Sequence, residues 1–160
     1  MLVRYVQAVK GQGSEIKEHL PFLCPDVDYL ERMLGSSEAL VILAKDKDAV
    51  VGVVGGWLKG TPSGYDVEDK TLRRHGAYHE AHLDWIAVKE KYREKEIGSS
   101  LVERIGNWAK EKYKKKIWIE VSRKTSDFDT VAFYKKLGFK EIGVFRDQKG
   151  EEYVTMLKQL

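Results

Sequence analysis

The stretch from Leu83 to Leu101 constrains this chain more than any other. It runs Leu-Asp-Trp-Ile-Ala-Val, then Lys-Glu-Lys-Tyr-Arg-Glu-Lys-Glu, then Ile-Gly-Ser-Ser-Leu. The first six residues are rich in aromatic and β-branched side chains and read as a strand. Beyond Gly98, the residues Leu101, Ile105, Trp108 and Lys112 recur at helical spacing, with Val102, Ala109 and Tyr113 widening the stripe. The charged residues between them, ending at a glycine, form a strand-to-helix turn. The first amides of a helix have no partner within it, and the helix dipole favours negative charge there. A turn of this composition is therefore an anion site, and phosphate is the anion it suits.

The rest of the chain supplies the elements around that turn. Leu2 to Val9 reads as a first strand. Ser14 is placed to cap a short helix limited by Pro21. Asp26 is placed to cap a second, with Val27, Leu30 and Leu34 on one face and Gly35 as its stop. Leu40 to Ala44 and Val50 to Leu58 read as strands joined by the charged turn Lys45–Asp48. Gly52, Gly55 and Gly56 in the second of them imply a bend or the close approach of other backbone. Ile117 to Val121 is a further strand. Asp127 or Asp129 opens a helix whose inner face holds Val131, Phe133 or Tyr134, and Leu137. Gly138 then stops it, with Phe139 placed for the apolar contact of a Schellman motif. Ile142 to Phe145 and Glu152 to Leu157 close as a hairpin. This order mixes hairpins with crossovers, so it predicts an α/β (α+β) fold with a central mixed sheet and helices on both faces.

Within the strand from Leu83 to Val88, strict alternation would set His82, Asp84, Ile86 and Val88 on one face and Leu83, Trp85 and Ala87 on the other. Leu83 is out of phase with Ile86 and Val88, and a bulge between them would restore one apolar face.

Size and composition narrow the function classes. At 160 residues the chain reads as one domain, 1–160. It has no apolar run of about 18 residues and no signal-peptide pattern at its start, so the expectation is a cytoplasmic protein without a membrane partner. A formal charge of +3 does not call for nucleic acid, and the Lys114–Lys116 run falls where a helix should end. The single cysteine, Cys24, permits no internal disulfide and reads as a small buried hydrophobe. The abundance of Lys and Glu, with Asn107 as the sole asparagine, is the bias seen in hyperthermophile proteins. His75, His79 and His82 have a spacing that would place two imidazoles on one helical turn near Glu80. No fourth ligand is apparent, so no metal is expected; histidines lining a substrate entrance are a better reading, and plain surface histidines the simplest. Thr61 to His82 is long for a connection within a domain, which is a mark of functional loops. Tyr65, Tyr78, Trp57 and Trp85 would serve either as walls of a pocket or as ordinary core aromatics.

Two motifs resemble a known family. The turn Arg93-x-x-Glu96-x-Gly98 resembles the Arg/Gln-x-x-Gly-x-Gly/Ala signature of the GNAT superfamily of N-acetyltransferases. About forty residues on, Phe133-Tyr-Lys-Lys-Leu-Gly-Phe139 resembles that family's Phe-Tyr-x-x-x-Gly-Phe helix-to-strand ending. The resemblance implies a GNAT-like fold with a mostly antiparallel sheet, and transfer of acetyl from acetyl-CoA to an amine without a metal. It implies that Arg93 and the backbone of Glu94, Lys95, Glu96, Ile97, Gly98 and Ser99 hold the CoA pyrophosphate. It also implies that Ile86, Ala87 and Val88 pair with the pantetheine arm like an added strand. Tyr134 matches the residue that protonates the departing thiolate, and Asp84 a residue that takes the amine proton, with Glu80 next in line. Asp127 matches a cofactor-side position that is frequently asparagine. Glu96 departs from the signature, because the family carries glycine there. The acceptor is expected to be a small-molecule amine ahead of a protein N-terminus or lysine. A homodimer is compatible with this reading. The rival classes are a non-catalytic CoA-binding module and a basic-surface interaction domain.

Overall fold

The computed structural model describes residues 2–58, 80–122 and 129–160. Its strands are β1 (Val3–Gln7), β2 (Ala39–Asp46), β3 (Ala49–Trp57), β4 (Glu80–Val88), β5 (Lys116–Ser122), β6 (Lys140–Arg146) and β7 (Glu152–Gln159). Its helices are α1 (Gly13–His19), α2 (Val27–Leu34), α3 (Ile97–Glu111) and α4 (Thr130–Lys136). The seven strands form one mixed sheet in the order β1-β2-β3-β4-β5-β7-β6. β1 with β2, β2 with β3, β5 with β7 and β6 with β7 are antiparallel. The parallel step pairs Glu80–His82 of β4 with Lys116–Trp118 of β5. A crossover of this kind needs a long connection, and the turn and α3 provide it.

The chain divides into two compact units. The first comprises residues 1–57 and 83–108, and the second residues 58–82 and 109–160. In the first unit, α1 and α2 cover one side of the β1–β3 strands. Ile16, Leu20, Leu30 and Met33 from the helices and their connection meet Val41, Leu43, Val53 and Trp85. Gly52 and Gly55 lie three apart on β3 and therefore face opposite ways. A Cβ on Gly52 would sit 3.2 Å from Ile97 and 3.3 Å from Leu101, so glycine lets the first turns of α3 settle against β3. A Cβ on Gly55 would lie 2.4 Å from the Trp85 ring, which occupies that space instead.

These contacts bear on β4. Gly55 and Trp57 are two apart on β3 and share a face. Trp85 lies over Gly55, while the neighbouring Asp84 accepts a hydrogen bond from the indole of Trp57 at 3.0 Å. Two consecutive residues thus reach the same side, and the alternation of β4 breaks between them. That is the neighbourhood in which the sequence pattern asks for a bulge.

In the second unit, β5 is buried on both faces through Ile117, Trp118, Ile119 and Val121. α4 starts at Asp129, whose carboxylate accepts from the Ala132 amide at 3.0 Å. It ends in a Schellman motif. The Gly138 amide donates to Lys135 and the Phe139 amide to Tyr134, each at 3.0 Å, with Gly138 at φ +94°.

Three local expectations are corrected. Ser14 does not cap α1. Gln12 precedes the helix without a capping bond, because its side chain accepts instead from the Val9 amide at 2.8 Å. Cys24 is exposed, and Leu23 takes the buried place. The Lys17 ammonium bonds the carbonyls of Leu23 and Pro25 on either side of Cys24 and fixes the connection in that orientation. Tyr113 does not extend the buried stripe of α3. It takes the left-handed stop position at φ +65°, and the Lys114 amide bonds back to Ala109.

Candidate functional site

The turn ahead of α3 is built to present its backbone. Glu94 and Glu96 both adopt positive φ, +64° and +62°, whereas Lys95 between them does not. Alternating residues of this kind turn successive N–H groups to one side and form a concavity suited to an anion. The first helical amide with a described partner is that of Ser100, which donates to Glu96 at 3.0 Å. Among the described residues, the amides of Glu94 to Ser99 ahead of it make no backbone bond. Glu96 stands where the family signature has glycine and takes the backbone conformation for which glycine is chosen. A non-glycine residue there costs about 1 kcal/mol. Arg93 is directed back to the strand end: its Nε donates to the Val88 carbonyl at 3.1 Å and ties the turn to β4. The Lys89 amide donates to the Val51 carbonyl at 2.9 Å and ties it to β3. Ile86, Ala87 and Val88, just before the turn, are half-buried.

Asp84 lies in the same unit, on the side of β4 facing α2. Its Oδ2 accepts from the Tyr29 hydroxyl and, at 3.0 Å, from Trp57 Nε1. The Trp57 N–H is shared with the Tyr29 oxygen at 3.3 Å, and the two rings meet edge-to-face. Burial pushes the carboxyl above its ordinary range, and the two hydrogen bonds partly oppose that rise. Burial and the facing Asp84 push the Tyr29 phenol up as well, so it keeps its proton at neutral pH. Tyr29 owes its place to the helix start, where the Asp26 carboxylate accepts from its amide at 2.8 Å. Reasoning from sequence did not single out Tyr29. It meets Asp84 across 55 positions of chain, and only its position just inside a capped helix was legible.

Tyr134 lies in the second unit. It is buried, and its ring is held edge-on by Phe133 and Phe139 at 5.0 and 5.3 Å. The Phe139 contact is the apolar clasp of the Schellman stop, so the helix ending itself positions the tyrosine. The Tyr134 hydroxyl is buried and has no described hydrogen-bond partner. Burial pushes the phenol up, which leaves a protonated donor.

The remaining candidates are placed as follows. His82 lies on a strand, not on a helical turn, and is buried rather than at the surface. It stacks on Trp118 at 3.9 Å, and burial lowers its pKa to about 3. Glu80 begins β4 and is buried. Trp85 belongs to the core. Among the described residues no group of three or more His, Cys, Asp or Glu is arranged to hold a metal ion. Asp127, His75, His79, Tyr65, Tyr78 and most of the segment from Thr61 to His82 lie outside the described residues.

A sequence model of the Acetyltransferase (GNAT) family matches residues 12–139, and the chain belongs to that family of acyltransferases. Among solved structures, it is similar to the ribosomal-protein-S18-alanine N-acetyltransferase of Escherichia coli. The TM-score is 0.74 at 15% identity, over 99% of this chain and 94% of that one. It is similar also to a GNAT family acetyltransferase from Elizabethkingia anophelis with acetyl-CoA bound, with a TM-score of 0.69 at 17% identity, over 99% and 98% of the two chains. An acetyltransferase of Bacillus subtilis in complex with CoA gives a TM-score of 0.71 at 20% identity, over 99% of both chains. At these identities the likeness concerns the fold. No curated protein sequence matches the chain.

Proposed function

We propose that residues 1–160 act as one acetyltransferase domain that moves the acetyl group of acetyl-CoA to a primary amine, with a small-molecule amine favoured as acceptor. The observation that carries this reading is the turn before α3. Its run of free amides is shaped by positive φ at Glu94 and Glu96, at the positions of the family's phosphate-binding signature. The residue at the signature glycine has changed, while the backbone conformation that the glycine permits is kept.

In this reading the amides of residues 94–99 bind the pyrophosphate, assisted by the α3 dipole, and Ile86 to Val88 offer backbone to the pantetheine arm. Acetyl-CoA supplies the acetyl group as a thioester. Asp84 takes a proton from the incoming ammonium, a role suited to a carboxyl that burial raises above its ordinary range. The Tyr134 hydroxyl, protonated and without a described partner, gives a proton to the departing sulfur. A base held partly buried between Tyr29 and Trp57 suits a compact amine better than an extended protein surface.

The test is a thermal shift followed by turnover. Acetyl-CoA should raise the melting temperature by mass action, and a panel of amines should then release free thiol in the presence of at least one member. Stabilisation without turnover across the panel would favour a non-catalytic CoA-binding module. No stabilisation at millimolar acetyl-CoA would overturn both readings.

A further inference from the structure

We propose that Tyr29 and Trp57 are positioning residues that hold Asp84 by one oxygen, Oδ2, and so leave Oδ1 as the oxygen that receives the acceptor's proton. This deepens the function proposed above and rests on its assignment of Asp84 as the base.

The geometry is specific. Both donors converge on the same carboxylate oxygen. Tyr29 Oη donates to Oδ2, Trp57 Nε1 donates to Oδ2 at 3.0 Å, and the indole N–H is shared with the Tyr29 oxygen at 3.3 Å. Oδ1 makes no described hydrogen bond. The three side chains come from three elements, α2, β3 and β4. A carboxylate fixed from two of them cannot rotate about its terminal torsion without breaking both bonds. The indole N–H has no lone pair to accept a proton. The Tyr29 phenol is held protonated by burial and by Asp84. Neither neighbour can therefore serve as the base, and the proton has one destination. The step balances as an ammonium and the Asp84 carboxylate giving a neutral amine and the Asp84 carboxylic acid. The amine lone pair freed in this way then attacks.

The same two bonds set the strength of the base. Burial alone drives the carboxyl upward, and hydrogen bonds to its charged form draw it back. Two donors on one oxygen favour the charged form of a buried carboxylate while leaving the other oxygen free to accept. Among the described residues, the other charged group at this cluster is Arg32 of α2, whose guanidinium lies 5.3 Å from the centre of the Tyr29 ring.

The test is a carbon-13 NMR titration of the full-length protein labelled at the aspartate side-chain carboxyl, with the Asp84 resonance assigned by its loss in Asp84→Asn. Tyr29→Phe and Trp57→Phe should each raise the Asp84 midpoint by about one pH unit, the weight of one hydrogen bond to a charged group. The acidic limb of kcat/KM, measured with an amine from the panel, should move the same way. A midpoint that stays in place or falls in both variants overturns the positioning role. If Asp84→Asn keeps the wild-type pH profile and rate, the base assignment fails instead, whatever the midpoints do. The two variants are independent, so one that does not fold leaves the other to decide.

Discussion

Glu96 is a residue whose backbone and side chain answer to different demands. Its φ of +62° is what the turn requires, and its carboxylate brings negative charge to the turn proposed above to hold the pyrophosphate. Glu96→Gly should relieve the strained backbone. After the larger unfolded-state freedom of glycine is set against that relief, the protein should gain up to about 1 kcal/mol of stability in urea melts. The same change should tighten CoA several-fold by calorimetry if the carboxylate faces the phosphates, since a solvated charge pair at 4 Å is worth about 1 kcal/mol. Unchanged or weaker binding would mean that it is directed away. Asp84 carries the opposite tension. Its carboxyl is raised in the folded protein, so the folded state holds the proton more tightly than the unfolded chain does. The stability this group contributes is complete below the unfolded value near 3.8 and is lost as pH rises through the folded value. Asp84→Asn should therefore melt higher than the wild type at pH 7 to 8, with the difference closing by about pH 4. An equal or lower melting temperature across that range would show that the two hydrogen bonds fully offset the burial of the charge. The sequence named Asp84 but not the partners that tune it. Tyr29 has no local signature, and its bond to Asp84 exists only once α2 has packed on the sheet.

At the scale of elements, the Schellman stop at Gly138 does more than end α4. Phe139 closes the motif with its amide and clasps Tyr134 with its ring, so one local structure both stops the helix and places a phenol. Gly138→Ala forces an L side chain into φ +94° and should cost about 1–2 kcal/mol in urea unfolding. Gly138→Asn, which tolerates left-handed backbone better, should recover part of it. Equal stability for all three proteins would mean that the stop relaxes without cost. This element was legible because its signal is local: a glycine, an apolar residue after it and helical spacing before it. The Asp26 cap of α2 was legible for the same reason. The cap of α1 was not, because Gln12 turns its side chain back to Val9 and leaves Ser14 inside the helix. Cys24 was misread because burial in a connection depends on which neighbour the surrounding groups hold inward. Here Lys17 grips the carbonyls around it and Leu23 is the residue turned in.

At the scale of the whole molecule, the family could be reached from the chain because two local motifs stand in the right order around a strand, a turn and a helix. The cluster around Asp84, proposed above as the acceptor side, could not, because its side chains are assembled from distant parts of the sequence. The strand pairing carries a further consequence, for the order in which the protein folds. The β2–β3 and β6–β7 ladders join strands that are neighbours in sequence. The parallel step needs Glu80 to find Lys116 before its three pairs repay the entropy of closing that loop. Ladders of near neighbours form early and distant pairs late. Truncating Ile42 to valine in the first hairpin should therefore slow folding, whereas truncating Ile117 to valine beside Ala81 should mainly hasten unfolding, as stopped-flow chevrons would show. The reverse pattern would mean that the crossover nucleates the fold. If the expected order holds, the parallel step between β4 and β5 is among the last to form, and the strand that carries Asp84 gains its second neighbour only late in folding.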